Sequence, residues 1–201
     1  MNHTYEAKKF NIPELSGISS KQLEIHIKLY EGYVKFTNHL REVLSDLRKD
    51  SEKNAYALGE VLRRFGFEFN GMRMHEYYFG QFEGGRTAPD SNSKLALSLI
   101  EKYGSWDEFI NHFKSVGLTR GIGWTILYFD PIGKTPHVVW VNEHELGQLA
   151  SLPVILAMDM WEHAYMVDYL PAEKKNYIDA FFNNLNWQIT ETRFNEVVGV
   201  K

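Results

Sequence analysis

The sequence predicts an α+β fold: an N-terminal helical hairpin followed by an α/β domain in which a small antiparallel sheet of about three strands is flanked by helices. Three observations point there. Two long runs with residues at helical spacing fill most of the chain up to residue 82. Runs rich in β-branched and aromatic residues come later, "WTILYF" at 124–129 and "HVVWV" at 137–141. Between these regions, "EGGRTAPDSNS" at 83–93 carries Gly, Pro, Asp, Asn and Ser with no apolar period, which is linker composition. The division expected is residues 1–88 as the helical hairpin domain and residues 89–201 as the α/β domain. With 201 residues, 44% of them hydrophobic and 14% aromatic, the chain can bury a sizeable core.

Taken in order, "SGISSKQLEIHIKLYEGYVKFTNHLREVLSDLRKD" offers Ser19 or Ser20 as a cap, and positions 23, 27, 30, 34 and 37 follow a helical period, so one helix is expected over about 20–49. The second run, "EKNAYALGEVLRRFGFEFNGMRMHEYYFGQF", contains Gly66 and Gly71, and either marks a break or bend. After the linker, "SNSKLALSLIEKYGSWDEFINHFKSVGL" reads as two short helices parted near Gly104, with Ser105 capping the second. The Pro and Gly of "DPIGKTP" are turn chemistry, so the runs on either side pair as a hairpin, and "LPVILAM" supplies a third strand. From Pro171 the chain regains helical character. No internal repeat and no low-complexity segment interrupts this order.

Composition narrows the function. No segment approaches the ~20 uninterrupted apolar residues of a membrane span, and the start "MNHTYEAKKFNIPELSG" lacks the apolar core of a secretion signal, so the expected location is the cytoplasm. The absence of cysteine excludes disulfides and thiolate metal sites and leaves His, Asp and Glu as the strong metal ligands. A net charge of -4, with only scattered basic pairs such as Arg63–Arg64 and Lys174–Lys175, argues against nucleic acid as the main partner. Phosphate-binding loops, H-E-x-x-H, G-x-S-x-G and a cysteine nucleophile are all missing.

What stands out is "AMDMWEHAYMVDYL" at 157–170, which places Asp159 and His163 four apart, with Glu162 beside the histidine, in a run rich in apolar and aromatic residues. A buried charge needs a partner. Spacing alone leaves two readings, a local ion pair or capping contact, or two ligands of one site. Among the eight histidines, His26 in "LEIHIKLY", His75 in "RMHEYYF" and His163 in "MWEHAYM" share apolar and aromatic surroundings. One from each helix of the hairpin, joined by Asp159 and His163, makes a set of three imidazoles and one carboxylate.

Here the residues carry a resemblance. "DMWEHAYMVDY" resembles the D-x-W-E-H-A-Y signature of the iron/manganese superoxide dismutases, with "GIGWTIL" around Trp124, "NNLNW" ending at Trp187 and "YVKFTN" beginning at Tyr33 in support. The likeness runs nearly end to end. It implies that family's fold, one Fe or Mn ion per chain bound by His26, His75, Asp159 and His163, and conversion of superoxide with protons to dioxygen and hydrogen peroxide. It implies a homodimer or homotetramer, with Glu162 reaching the partner subunit's ligand histidine. Tyr30, Trp124, Trp161 and Tyr165 are the other residues it places around the ligands or at the interface, and Lys174 and Lys175 fall where it sets a basic residue near the entrance.

The chain also departs from the pattern. Tyr30 stands where many members have a histidine, and Tyr33 lies one residue closer to His26 than usual, which re-aims the gateway side chain. The glutamine that commonly hydrogen-bonds the solvent on the metal is missing from both of its usual places: Gly71 occupies one, and "VNEHEL" fills the other. His144 or Glu143 is left to serve, and His144 is the expected choice. These losses also motivate an alternative, a metal-stabilised structural or binding protein that kept the fold without turnover. Iron and manganese are not distinguished by these residues.

Overall fold

The computed structural model describes residues 3–199. Two long helices, α1 (Ser20–Leu47) and α2 (Ala55–Gly80), pack together as a hairpin. Ser19 is the cap of α1, its hydroxyl accepting the Gln22 N–H. The helix ends in a single 3-10 turn, Arg48–Asp50, before the reversal. Among residues 81–93 only Thr87 makes a bridge, to Asn186, and the rest is turn and irregular chain. Then come α3 (Lys94–Tyr103) and α4 (Trp106–Gly117), parted by Gly104 at φ 94° and with the Ser105 hydroxyl accepting the Glu108 N–H, as the turn residues predict.

The sheet is antiparallel with strand order β2-β1-β3, from β1 (Gly123–Asp130), β2 (Thr135–Asn142) and β3 (Val154–Asp159). Central β1 is buried over all but its last residue, which is why it reads as a continuous apolar run rather than an alternating one. Trp124 pairs with Asp159 at the end of the ladder, fixing the last residue of β3 beside an indole. Helices α5 (Lys174–Asn184) and α6 (Trp187–Val197) close the chain. One core cluster runs through both halves, from Tyr30 and Phe79 of the hairpin to Trp124, Leu156 and Phe181 beyond it.

One expectation needs correction. Helix α2 runs from Ala55 to Gly80 without a break, so neither Gly66 nor Gly71 interrupts it. Gly71 answers a packing need instead: a Cβ there would sit 2.6 Å from Cδ1 of Tyr33, so the residue lets α1's tyrosine lie against the α2 backbone. Of the periodic positions in α1, residues 30, 34 and 37 lie on its buried face. Gln22, His26, Tyr30, Val34 and Thr37 point inward, while Leu23 and Ile27 are half-buried, because the inward face carries polar groups with specific partners.

Candidate metal centre

Helix α1 supplies His26, α2 supplies His75, and the end of β3 with the turn after it supplies Asp159 and His163. One ligating atom from each lies within 4.8 Å of the others. The geometry converges on a single oxygen: Oδ2 of Asp159 is 3.1 Å from Nε2 of His26, 3.2 Å from Nε2 of His163 and 3.5 Å from Nε2 of His75. The other carboxylate oxygen accepts the Trp161 N–H at 2.8 Å, so the local capping contact and the shared cluster are both present. His75 donates from Nδ1 to the Gly71 carbonyl at 2.6 Å, which fixes its tautomer and leaves the Nε2 lone pair facing the cluster. That Nε2 is buried with no hydrogen-bond partner among the described residues.

Burial pushes the pKa of His26 down and that of His75 well down, keeping both imidazoles neutral. Burial, the largest influence, works the other way on Asp159, but the interactions of its carboxylate with His163 and His26 together outweigh it and hold the carboxyl below the usual range. Three imidazoles, one ionised carboxylate and an orphaned ring nitrogen aimed at their common centre are a donor set suited to one iron or manganese ion.

A hydrogen-bonded chain leads outward from the cluster. The indole N–H of Trp124 donates to Nδ1 of fully buried His144 at 2.9 Å, and Nε2 of His144 is 2.8 Å from the Tyr33 hydroxyl. Because an indole only donates, Nδ1 must accept; the neutral ring then carries its proton on Nε2 and donates to Tyr33, whose own O–H stays free. Burial, the largest cause, takes the His144 pKa down to about 4. The shortened spacing does not turn Tyr33 away from the cluster: two helical turns separate it from His26 on one face of α1, and its ring lies 5.1 Å from that of His75. Glu143, half-buried, takes φ 51° just before His144 turns inward.

The remaining candidates divide. Trp161 stacks on both His144 and His163, with centroids at 4.8 and 5.6 Å. Tyr30 stacks over His75 at 6.4 Å, but its hydroxyl faces the other way, accepting the Lys8 N–H at 2.8 Å and donating to Glu76 at 3.3 Å. Tyr165 is buried against Tyr177, and Glu162 is exposed beside His163. Lys174 donates to the Thr119 carbonyl and lies over the Trp140 ring, while Lys175 is exposed. Three supporting residues escaped the sequence reading. Gln22 donates to the His163 carbonyl at 2.6 Å and accepts from Val167 N–H at 3.0 Å, Tyr177 donates to the Asp159 carbonyl at 2.7 Å, and Gln81 donates to the Ala157 carbonyl at 2.5 Å.

Fold and site together define a protein that sets one metal ion between a helical hairpin and the end of an antiparallel sheet. Residues 91–193 match the family of iron/manganese superoxide dismutases, C-terminal domain. Among similar proteins, Superoxide dismutase (Fe) of Sulfolobus acidocaldarius is 31% identical over 96% of this chain and 97% of its own length. The protein of the same name from Aquifex pyrophilus is 32% identical over 98% of this chain and 93% of its own, and that of Methanothermobacter thermautotrophicus is 27% identical over 96% and 98%. The chain belongs to the iron/manganese superoxide dismutase family.

Proposed function

We propose that this chain converts two superoxide anions and two protons into dioxygen and hydrogen peroxide at one iron or manganese ion held by His26, His75, Asp159 and His163. The observation that carries the reading is the convergence of three imidazole Nε2 atoms on one buried Asp159 oxygen. When bound, the ion supplies the one-electron cycle between its +2 and +3 states.

The chain's own residues do the rest. His75, locked by the Gly71 carbonyl, and Asp159, locked by Trp161 N–H and Tyr177, keep the donor atoms oriented before any ion arrives. Trp124 sets the His144 tautomer, His144 donates to Tyr33, and the Tyr33 hydroxyl can then hand its proton toward the cluster and be resupplied from solvent. Trp161 and Phe67 exclude bulk water from that path by packing on His144.

Purified protein is expected to contain close to one iron or manganese per chain and to dismute superoxide, and Asp159→Ala to lose both. A metal-replete protein without activity would sink the enzyme reading. The silent-protein alternative, which rested on Tyr30 and the missing glutamine, is not favoured: relatives matching across nearly the whole chain bear the dismutase name, and His144 and Tyr33 are joined beside the cluster. Dithionite and ferricyanide should shift the visible spectrum reversibly.

The same reading extends to a homodimer, with Glu162 reaching the partner subunit's ligand histidine, and to an antioxidant role in the cytoplasm. Exposed Glu162, followed by exposed Met166, Val167 and Leu170, supports an interface on this segment. No helix among the described residues is long and apolar enough to cross a membrane. Sedimentation of a monomer at micromolar concentration would remove the dimer from this reading.

A further inference from the structure

Four residues around the cluster keep some exposure: Tyr33, Phe67, Trp161 and His163. They mark the side from which a small solute enters. The Phe67 ring stands 4.7 Å from His144 and 6.3 Å from both Tyr33 and Trp161, so it forms part of that rim. Arg64, one turn earlier on α2, lays its guanidinium over Phe67 with Cζ 3.9 Å from the ring centroid. Glu68 fixes it there, one carboxylate oxygen accepting from Arg64 Nε at 2.8 Å and lying 2.6 Å from its Nη2. The two ends of this pair differ in exposure, 55% for the Arg64 side chain against 8% for Glu68. The pair is therefore a dipole with its cationic end at the rim.

We infer that Arg64, presented on the face of Phe67, is the cation that draws superoxide to the mouth of this site, an inference that rests on the dismutase reading. The substrate is a monoanion and the chain carries a net charge of -4, so the field of the chain as a whole opposes approach. A local cation at the rim reverses that sign where encounter happens. Guanidinium suits the place because it stays charged, is weakly hydrated and stacks on an aromatic face. The guanidinium lies on the ring that itself packs against His144, so it stands one aromatic ring away from the side chains lining the site. Of the two lysines expected at the entrance from sequence, Lys174 is committed to Thr119 and Trp140, and Lys175 is exposed.

The test compares iron-loaded wild type with Arg64→Gln, Arg64→Lys and Glu68→Gln. The dissociation constant of azide, a small monoanion, is read from the visible spectrum, and kcat/KM for superoxide is measured beside it. At ~0.01 M ionic strength, where the Debye length is ~30 Å, Arg64→Gln should weaken azide binding and lower kcat/KM by about threefold or more. Arg64→Lys should keep both near wild type, and Glu68→Gln should raise both. Near ~1 M salt, with a Debye length of ~3 Å, all four proteins should converge. An Arg64→Gln protein equal to wild type at low salt overturns the inference. So does Arg64→Lys falling as far as Arg64→Gln, which would assign the effect to packing on Phe67, or a difference that persists at high salt. A protein without turnover would refute the dismutase reading alone, because the azide titration still reports the charge of Arg64.

Discussion

His144 reaches the site through a backbone device. Glu143 holds φ 51°, a region that costs a side chain about 1–3 kcal/mol, and Gly123 beside it leaves no room for a Cβ, which would lie 2.0 Å from the Val141 carbonyl oxygen. Glu143→Gly should therefore stabilise the fold by up to about 1 kcal/mol in urea unfolding, the relief of strain exceeding the entropy glycine adds to the unfolded chain. His144→Ala should keep its metal yet lose roughly 10–100-fold in kcat/KM, the range for removing a side chain that supports a metal site from outside its ligands. His144→Gln should retain metal and change the ratio of activity with iron to activity with manganese. Activity that responds to position 143 and ignores 144 would reverse these roles. At this scale legibility followed locality. His26, His75, Asp159 and His163 were readable from apolar surroundings and motif, whereas Gln22 was not, because it acts on a backbone carbonyl 141 residues away and leaves no pattern near itself.

At the scale of elements, the caps and turns were readable because Ser19, Ser105, Gly104 and "DPIGKTP" act on their immediate neighbours. The continuity of α2 was not, since a glycine inside a helix reads as a weakness unless the facing element is known. Gly66 and Gly71 look alike in sequence and differ in what they face. A Cβ at 66 meets only the end of the Glu145 side chain, at 3.2 Å, whereas a Cβ at 71 meets three atoms of the Tyr33 ring at 2.6–2.9 Å. Gly66→Ala should stabilise by up to about 1 kcal/mol, the helix propensity difference, because a flexible carboxylate can step aside. Gly71→Ala gains the same propensity but overpacks Tyr33 at a cost of about 1–3 kcal/mol, so net stability should fall. It should also displace Tyr33 from His144 and lower activity. Equal effects of the two substitutions on urea midpoints would show that Tyr33 does not depend on Gly71.

Across the whole molecule, the four ligands come from α1, α2 and the end of β3 with its turn, so the donor set exists only when the two halves are docked, and its protonation is coupled to folding. Burial holds His26 and His75 below their ordinary 6.5. Below pH 6.5 the unfolded chain therefore takes up protons that the folded chain refuses, and stability falls as pH falls, by up to about 1.4 kcal/mol per pH unit for each histidine. Asp159 acts with the same sign further down, because its folded carboxyl titrates below its ordinary 3.8. Metal-free protein should thus be less stable in urea at pH 5.5 than at pH 7.5, by up to roughly 2–3 kcal/mol from the two histidines, with an unchanged denaturant slope. Bound iron or manganese should offset the loss by stabilising only the folded state, until acid releases the ion from the imidazoles. Equal or greater stability of the metal-free protein at pH 5.5 would mean that the buried imidazoles accept protons without unfolding, and that Asp159 balances their charge on its own.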